Sequence, residues 1–316
     1  MALGTTRKDR IDQLAARAAE DSRNGDSGVS LAASAWRRLR RNPVFLLGAG
    51  IIVTFIVVAA FSPLLAPHDP ADRLLVDEVI KARNQIPSAQ AGHPLGGDDQ
   101  GRDLLSRLLV GSQQTLLVGV LATLIGLAGG LVMGTLAGAL AGWVDSLVMR
   151  MVDVMLAVPG ILLAVSIAAL FARPNIYTLI IAVAMVQVPV FARLLRGSML
   201  AQRSSDHVLA ARALGVKPRS VVFRHMLPNA LGPVIVQSTL VLALAIIDAA
   251  ALSFLGLGNP DDRRPEWGTM LASAQGLIDS HPHLAFLPAA CIITVALGFT
   301  LVGESMRDAL DPKNRR

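Results

Sequence analysis

The chain has a single cysteine, a single tyrosine and three tryptophans in 316 residues, and charged side chains make up only 16% of it. One cysteine excludes an intramolecular disulfide and any cysteine-based metal site. Cys291 lies inside an apolar run and reads as a small buried hydrophobe. So little charge, beside 53% hydrophobic residues, excludes an ordinary soluble domain and indicates an integral membrane protein. Aromatics are 4%, so the apolar mass is Ala, Leu, Val, Ile and Gly, as membrane helices prefer. The GxxxxGK[ST] loop that cradles nucleotide phosphates is also missing; Gly215-Val-Lys-Pro-Arg-Ser220 has a Gly and a Lys but not the spacing or the second Gly. A process driven by ATP would need another chain to bind the nucleotide.

Six stretches reach the roughly 20 apolar residues that a membrane helix needs: 44–66, 114–142, 151–172, 176–196, 230–257 and 284–303. Residues 1–35 mix charge, Gly and Ser and read as a flexible tail, not a cleavable signal. Positive charge orients the spans. Arg37, Arg38, Arg40 and Arg41 precede the first span. Arg193, Arg196, Arg203, Arg212, Lys217, Arg219 and Arg224 lie in or just before the loop after the fourth. Arg307, Lys313, Arg315 and Arg316 follow the sixth. Six spans place all three groups on one side, which the rule makes cytoplasmic, and leave acid-rich 67–113 and 258–283 outside. Each basic cluster abuts a span, which favours orientation and lipid contact over nucleic acid binding. The predicted organisation is a basic tail (1–43), a first membrane helix (44–66), an extracytoplasmic segment (67–113), a five-helix core (114–304) with an inner loop at 198–229, and a C-terminal tail (305–316).

Within the second span Gly126, Gly130, Gly134, Gly138 and Gly142 recur every fourth residue. Spaced so, they form one smooth stripe along a helix and predict close packing against a neighbour. Pro159 and Pro189 predict kinks in spans three and four, which either line a pathway or are passively tolerated. Asp153 reads as interfacial. Asp248 lies well inside span five, where a charge costs about 2.5–3.5 kcal/mol on insertion scales, so it should face a polar cavity or partner or be protonated. These residues and Glu304 make no proton relay, and no nucleophile–base pair or metal cluster lies in the spans. That weakens both a secondary carrier and a membrane enzyme. His281-Pro-His283 reads as a polar outer loop.

The 203–229 loop is unusually ordered in its signals. Asp206-His-Val-Leu-Ala-Ala-Arg-Ala-Leu214 is rich in helix formers, with Asp206 as N-cap. Gly215 supplies a left-handed stop. Lys217-Pro218 starts a second short helix through Leu227, which Pro228 breaks before Asn229 opens span five. His225 reads as a structural hydrogen-bonding residue.

Ala210, Ala211, Gly215, His225, Leu227, Pro228 and Asn229 resemble the EAA loop of bacterial ABC-importer permeases, written EAAxxxG followed by HxLPN; Leu209 stands at the usual Glu. His93-Pro-Leu-Gly-Gly-Asp-Asp-Gln-Gly-Arg-Asp-Leu-Leu-Ser-Arg107, Ala250-Ala-Leu-Ser-Phe-Leu-Gly-Leu-Gly258, Trp267-Gly-Thr-Met-Leu271 and Arg307-Asp-Ala-Leu-Asp-Pro312 resemble, in order, further segments of the dipeptide/oligopeptide/nickel permease family in its C-type, second-subunit branch. The departures are Asp261-Asp-Arg-Arg264 in a usually Pro-rich turn, Ala249 for Glu and Gln113 for Arg.

The resemblance implies an all-α membrane protein with the six-helix type I importer permease fold and both termini cytoplasmic, in a bacterial inner membrane. It implies a homologous permease, two ATPase subunits that hold ATP and Mg, an extracytoplasmic substrate-binding protein, and no cofactor or catalytic residue in this chain. Peptides are the implied cargo; nickel chelates, glutathione or another small ligand are alternatives. Contact with the ATPase is implied for Leu209, Ala210, Ala211, Arg212, Gly215, Lys217, Arg219, His225, Pro228 and Asn229. Pro159, Pro189 and Asp248 are the candidate pathway residues.

Overall fold

The computed structural model describes residues 31–81, 86–261 and 263–310. Residues 1–30 of the predicted tail, and Lys313, Arg315 and Arg316, lie outside them. The helices are α1 (Leu31–Leu39), α2 (Pro43–Leu65), α3 (Val76–Lys81), α4 (Leu104–Leu140), α5 (Gly142–Ala157), α6 (Gly160–Ala169), α7 (Ile176–Gln202), α8 (Asp206–Ala213), α9 (Leu227–Leu252), α10 (Trp267–Ala274) and α11 (His283–Leu310). Among the described residues, five helical stretches are long and apolar enough to cross a membrane, and the bent pair α5–α6 makes up to six.

Local chemistry starts these helices where they start. Asn42 caps α2 by accepting from the Val44 amide at 2.9 Å, with Pro43 in the first turn. Asp103 caps α4 through Ser106, and Asn175 with Thr178 forms a capping box on α7. Residues 31–39 are helical rather than tail: Ala35 and Leu39 are buried while Trp36, Arg37 and Arg38 are exposed. The second span begins ten residues before the predicted 114, because the Asp103 cap sets its start.

The glycine stripe is the seam between α4 and α7. A Cβ at Gly130 would stand 2.3 Å from the Phe191 Cβ; at Gly126 it would meet Gln187 and the Ala184 carbonyl, at Gly134 Ala192 and Leu195, and at Gly138 Met199. Only glycine lets the two backbones come so near. Gly142 does not belong to this seam. Helix α4 ends at Leu140, and Ala141 and Gly142 turn the chain with φ of 52° and 66°, so a Cβ at Gly142 would meet nothing within 4 Å. A second close crossing, unread in the sequence, joins α2 to α11: a Cβ at Gly48 would stand 2.8 Å from the Gly298 carbonyl oxygen.

The third span is not a single kinked helix. Helices α5 and α6 meet at 97° across Val158-Pro159. Proline forces the residue before it out of helical geometry, and Val158 is extended (φ −88°, ψ 131°), so the chain breaks rather than bends. Pro159 is exposed. Pro189 sits buried inside an uninterrupted α7 and interrupts nothing. Asp248 is half-buried and has no hydrogen-bond or ion-pair partner among the described residues. Asp153 is paired with Arg193, and Asp145 accepts from Arg196 Nε and Nη2 at 2.5 and 2.7 Å, so α5 is tied to α7 by two ion pairs.

Arg203 Nη2 donates to the Ala139 carbonyl at 3.1 Å, so the 203–226 loop lies at the α4 C-terminus. The opposite end of the bundle carries 67–81, 86–103, 258–261 and 263–282. There Trp267 Nε1 donates to the Leu108 carbonyl at 3.0 Å, and Arg102 pairs with Asp98 at 2.7 Å. Glu266, 1% exposed, accepts from Ser253 Oγ at 3.0 Å.

Two predictions follow from this packing. Leucine at Gly130 must push the Phe191 side chain and the Val188 carbonyl out of the seam, which costs about 1–3 kcal/mol as overpacking. Gly130→Leu should therefore lower the melting temperature in detergent. Gly197→Ala on α7, with open space around it, should not; equal melting of both variants with the parent would remove the seam from the account. Burial pushes the Glu266 carboxyl up from 4.5 to about 7, against the opposing Ser253 hydrogen bond. Between those values the folded chain holds a proton that the unfolded chain lacks, so stability present at low pH is lost as pH rises toward 7. The full effect is about 3 kcal/mol. Glu266→Gln should melt above the parent at pH 8 and lose that advantage by pH 4.5; a pH-independent difference would contradict the burial of an ionisable group there.

Candidate coupling surface

The loop after α7 folds into a small seated helix. Ser205, not Asp206, is the residue before α8: its carbonyl accepts from the Val208 and Leu209 amides at 3.0 Å, and its hydroxyl turns back to the Gln202 carbonyl. Asp206 is the first helical residue, where its charge suits the helix N-terminus. The far end closes with a paired cap. The Gly215 amide donates to the Arg212 carbonyl and the Val216 amide to the Ala211 carbonyl, at 3.0 and 3.1 Å. This geometry needs a left-handed residue, and Gly215 has φ 75°.

Two faces result. Val208 and Ala211 are buried with Met199, Val221 and Met226, which seats the helix on the bundle. Ala211 thus points inward and has no surface to offer a partner. Leu209, Ala210, Arg212 and Ala213 face out, with Leu214, Lys217 and Arg219 beyond them. Leu209 is 50% exposed, Leu214 83% and Phe223 60%. Three large apolar groups among basic side chains are costly to leave in water.

The second arm of the loop is not a separate helix. Pro218–Ser220 leads into a π-helical turn, Val221–Met226, which continues into α9 without a break. Pro228 therefore does not end a helix. It has no amide to donate, and its ring crowds the carbonyl four residues back. The wider π turn, in which the Leu227 amide donates to the Val222 carbonyl, accommodates it. Asn229 Nδ2 donates to the His225 carbonyl at 2.8 Å and lies 3.1 Å from His207 Nε2. The loop's hydrogen bonding is thus made by the His225 backbone and the His207 ring, with the His225 ring outside it. His207 was invisible as a partner because it lies 22 residues from Asn229 in sequence.

The structure brings Leu209, Ala210, Arg212, Gly215, Lys217 and Arg219 to one end of the bundle. Pro228 and Asn229 are also exposed there, at the root of α9, and His225 is half-buried. Pro159, at the break between α5 and α6, and Asp248, on α9, lie elsewhere. An apolar cleft of about 410 Å³ opens between α6, α9 and α11, lined by Ile161, Ile247, Phe254 and Ile293 among others.

Known proteins show the same build. The family model described as the binding-protein-dependent transport system inner membrane component matches residues 130–316. The N-terminal TM domain of oligopeptide transport permease C matches residues 30–87. The dipeptide transport system permease protein of Alkalihalophilus pseudofirmus is 40% identical over 287 residues, covering 91% of each chain. The glutathione transport system permease protein of Escherichia coli is 42% identical over 278 residues, 88% of this chain and 89% of that one. A chain of the MetNI methionine ABC transporter, solved in inward-facing conformations, superposes with TM-score 0.54 over 66% of this chain and 96% of its own, at 19% identity, a likeness of fold alone. The family matches over most of the chain, the long-range identity and the shared fold agree: this chain is a multi-pass bacterial inner-membrane permease of the binding-protein-dependent ABC importer family, in the branch of the C-type peptide permeases.

Proposed function

We propose that this chain pairs with a homologous permease to form the pathway of an ATP-driven peptide importer, and that α8 and the adjoining 214–223 stretch receive the stroke of a cytoplasmic ATPase. The observation that carries this reading is the two-faced α8: Val208 and Ala211 seat it, while Leu209, Leu214 and Phe223 stand exposed among Arg212, Lys217 and Arg219. The loop side is cytoplasmic on the charge distribution. Two ATPase subunits would hold ATP and Mg, and an extracytoplasmic binding protein would deliver cargo. The chain itself performs no hydrolysis and needs no cofactor.

The mechanism follows from how the loop is tied. Closure of the ATPases on ATP favours one state of the assembly and so shifts its equilibrium. The α8 patch moves with its ATPase. Its seat joins it to α7, and the unbroken run from Pro218 carries it into α9. Domain rocking of this kind opens and closes a central site without unfolding any helix. Small peptides are the favoured cargo, since the relatives named above are dipeptide and glutathione permeases.

A Cβ at Gly215 would meet nothing within 4 Å, so within this chain a substitution acts through backbone strain, about 1–2 kcal/mol for a non-glycine residue. Gly215→Val should insert normally yet lose most ATP-coupled uptake, with Gly215→Asn milder; full uptake by Gly215→Val would remove the cap from coupling. Arg219→Glu should weaken co-purification of the ATPase about tenfold, one charge-assisted contact being worth about 1.5–3 kcal/mol. Unchanged co-purification would place Arg219 outside the interface. Uptake of a peptide panel in a strain lacking the transporter tests the cargo, and transport of nickel without any peptide would overturn it.

A further inference from the structure

Three chain segments that the transport reading leaves unused converge at the end of the bundle opposite α8. His68 follows the first span, His93 lies in the loop before α4, and Asp103 is the α4 N-cap. One donor atom from each lies within 4.8 Å of the others. His93 Nδ1 stands 2.8 Å from Asp103 Oδ1, and the His68 ring stacks on the His93 ring with centroids 4.4 Å apart.

The hydrogen bonds around these residues position donors as a metal site requires. His68 Nε2 lies 3.0 Å from the Gly92 carbonyl, which can only accept. That nitrogen therefore carries the ring proton, and in the neutral ring Nδ1 keeps its lone pair. A ring N–H held by a backbone carbonyl is the arrangement that orients metal-bound histidine. Asp103 Oδ2 accepts from the Ser106 amide and hydroxyl at 2.7 and 2.6 Å, which fixes the carboxylate and leaves Oδ1 toward His93. Asp103 is fully buried and the His93 side chain is 12% exposed, so the charge is shielded from water. A hydrogen-bonded His93–Asp103 pair has no need of His68. Two imidazoles and one buried carboxylate are a donor set for zinc-class ions.

We propose that His68, His93 and Asp103 bind a divalent transition-metal ion of the zinc class, with water in the fourth position. The ion takes the place of the proton between His93 and Asp103. A neutral His93 ring shifts that proton to Nε2 with no net release, and a protonated ring gives it up to water as the ion binds. Metal–ligand bonds of about 2.0–2.1 Å set the donors roughly 3.3 Å apart, so the His93–Asp103 pair must open from 2.8 Å and the His68 ring must tilt out of its stack on His93 to bring its nitrogen to the ion. The ion ties the turn after the first span and the 86–103 loop to the start of α4, so it should raise the stability of that end by mass action.

The test uses the full chain with its co-purifying subunits, carrying no polyhistidine tag, stripped by chelator and dialysed against micromolar zinc. Elemental analysis should find about one zinc per chain in excess of a parallel His68→Phe sample. Phenylalanine keeps the ring stack but removes the donor, so zinc affinity should fall at least about tenfold. His68→Gln serves if the phenylalanine variant does not match the parent's zinc-free melting temperature. His281 and His283 form the other histidine pair of this end, with ring centroids 6.1 Å apart, and their joint replacement by alanine should leave the stoichiometry unchanged. Absence of retained zinc in the parent, retention by the His68 variants, or loss on replacing His281 and His283 would each overturn the assignment.

Discussion

Helices α4 and α7 approach until backbone meets side-chain root along four successive turns. Inside a bilayer there is little hydrophobic gain in bringing two helices together, since lipid tails are as apolar as leucine. What remains is dispersion between close surfaces, and that falls steeply with any gap. Gly126, Gly130, Gly134 and Gly138 remove the gap, and Ala184, Val188, Phe191, Ala192 and Met199 fill the groove they leave. Several other elements of the bundle pack about this pair, while α11 forms a second centre with α2 and α9. Helix α9 packs on both members, α6 lies against α7, and the ion pairs of Asp145 and Asp153 hold α5 to the same helix.

The seam also explains why α8 can be small. A helix of eight residues has no stability of its own in water, because so short a helix cannot recover the cost of nucleation. It is held by Val208 and Ala211 against Met199, the residue that also fills the groove at Gly138. The Arg203–Ala139 hydrogen bond fixes the exit of α7 against the end of α4. Any force applied at Leu209 and Leu214, as the proposed coupling requires, would meet a braced corner. On the other arm, the π turn at Val221–Met226 keeps Pro228 within a continuous helix, so the loop and α9 form one lever.

Much of this was legible from residue pattern. Span number, the order of the loop, the Gly215 cap and the stripe from Gly126 to Gly138 follow from periodicity and glycine chemistry. Other features depend on contacts that no local pattern carries. Gly142 shares the stripe's spacing, but helix α4 ends before it, and spacing alone cannot show where a helix stops. Pro159 and Pro189 look alike in sequence; one breaks the chain and the other sits within a helix, because packing around α7 holds Pro189 in place while Pro159 has an exposed turn to use. Pro228 reads as a breaker until the extra residue of a π turn is known. Ala210 and Ala211 are equivalent in composition and opposite in role, since only the seat of α8 decides which faces out. The pairing of His207 with Asn229, of Glu266 with Ser253 and of Asp145 with Arg196 are long-range contacts of the same kind.

The central claim is that α8 and α7 move as one rigid body. Spin labels on Gly197→Cys and Ala210→Cys, both exposed positions, in a Cys291→Ala background report the distance between them by double electron–electron resonance in the reconstituted complex. The distance distribution should be the same with and without ATP and a slowly hydrolysed analogue, because the seat of Val208 and Ala211 persists through the cycle. A nucleotide-dependent shift of several ångström would show that α8 moves on its own and would contradict the account.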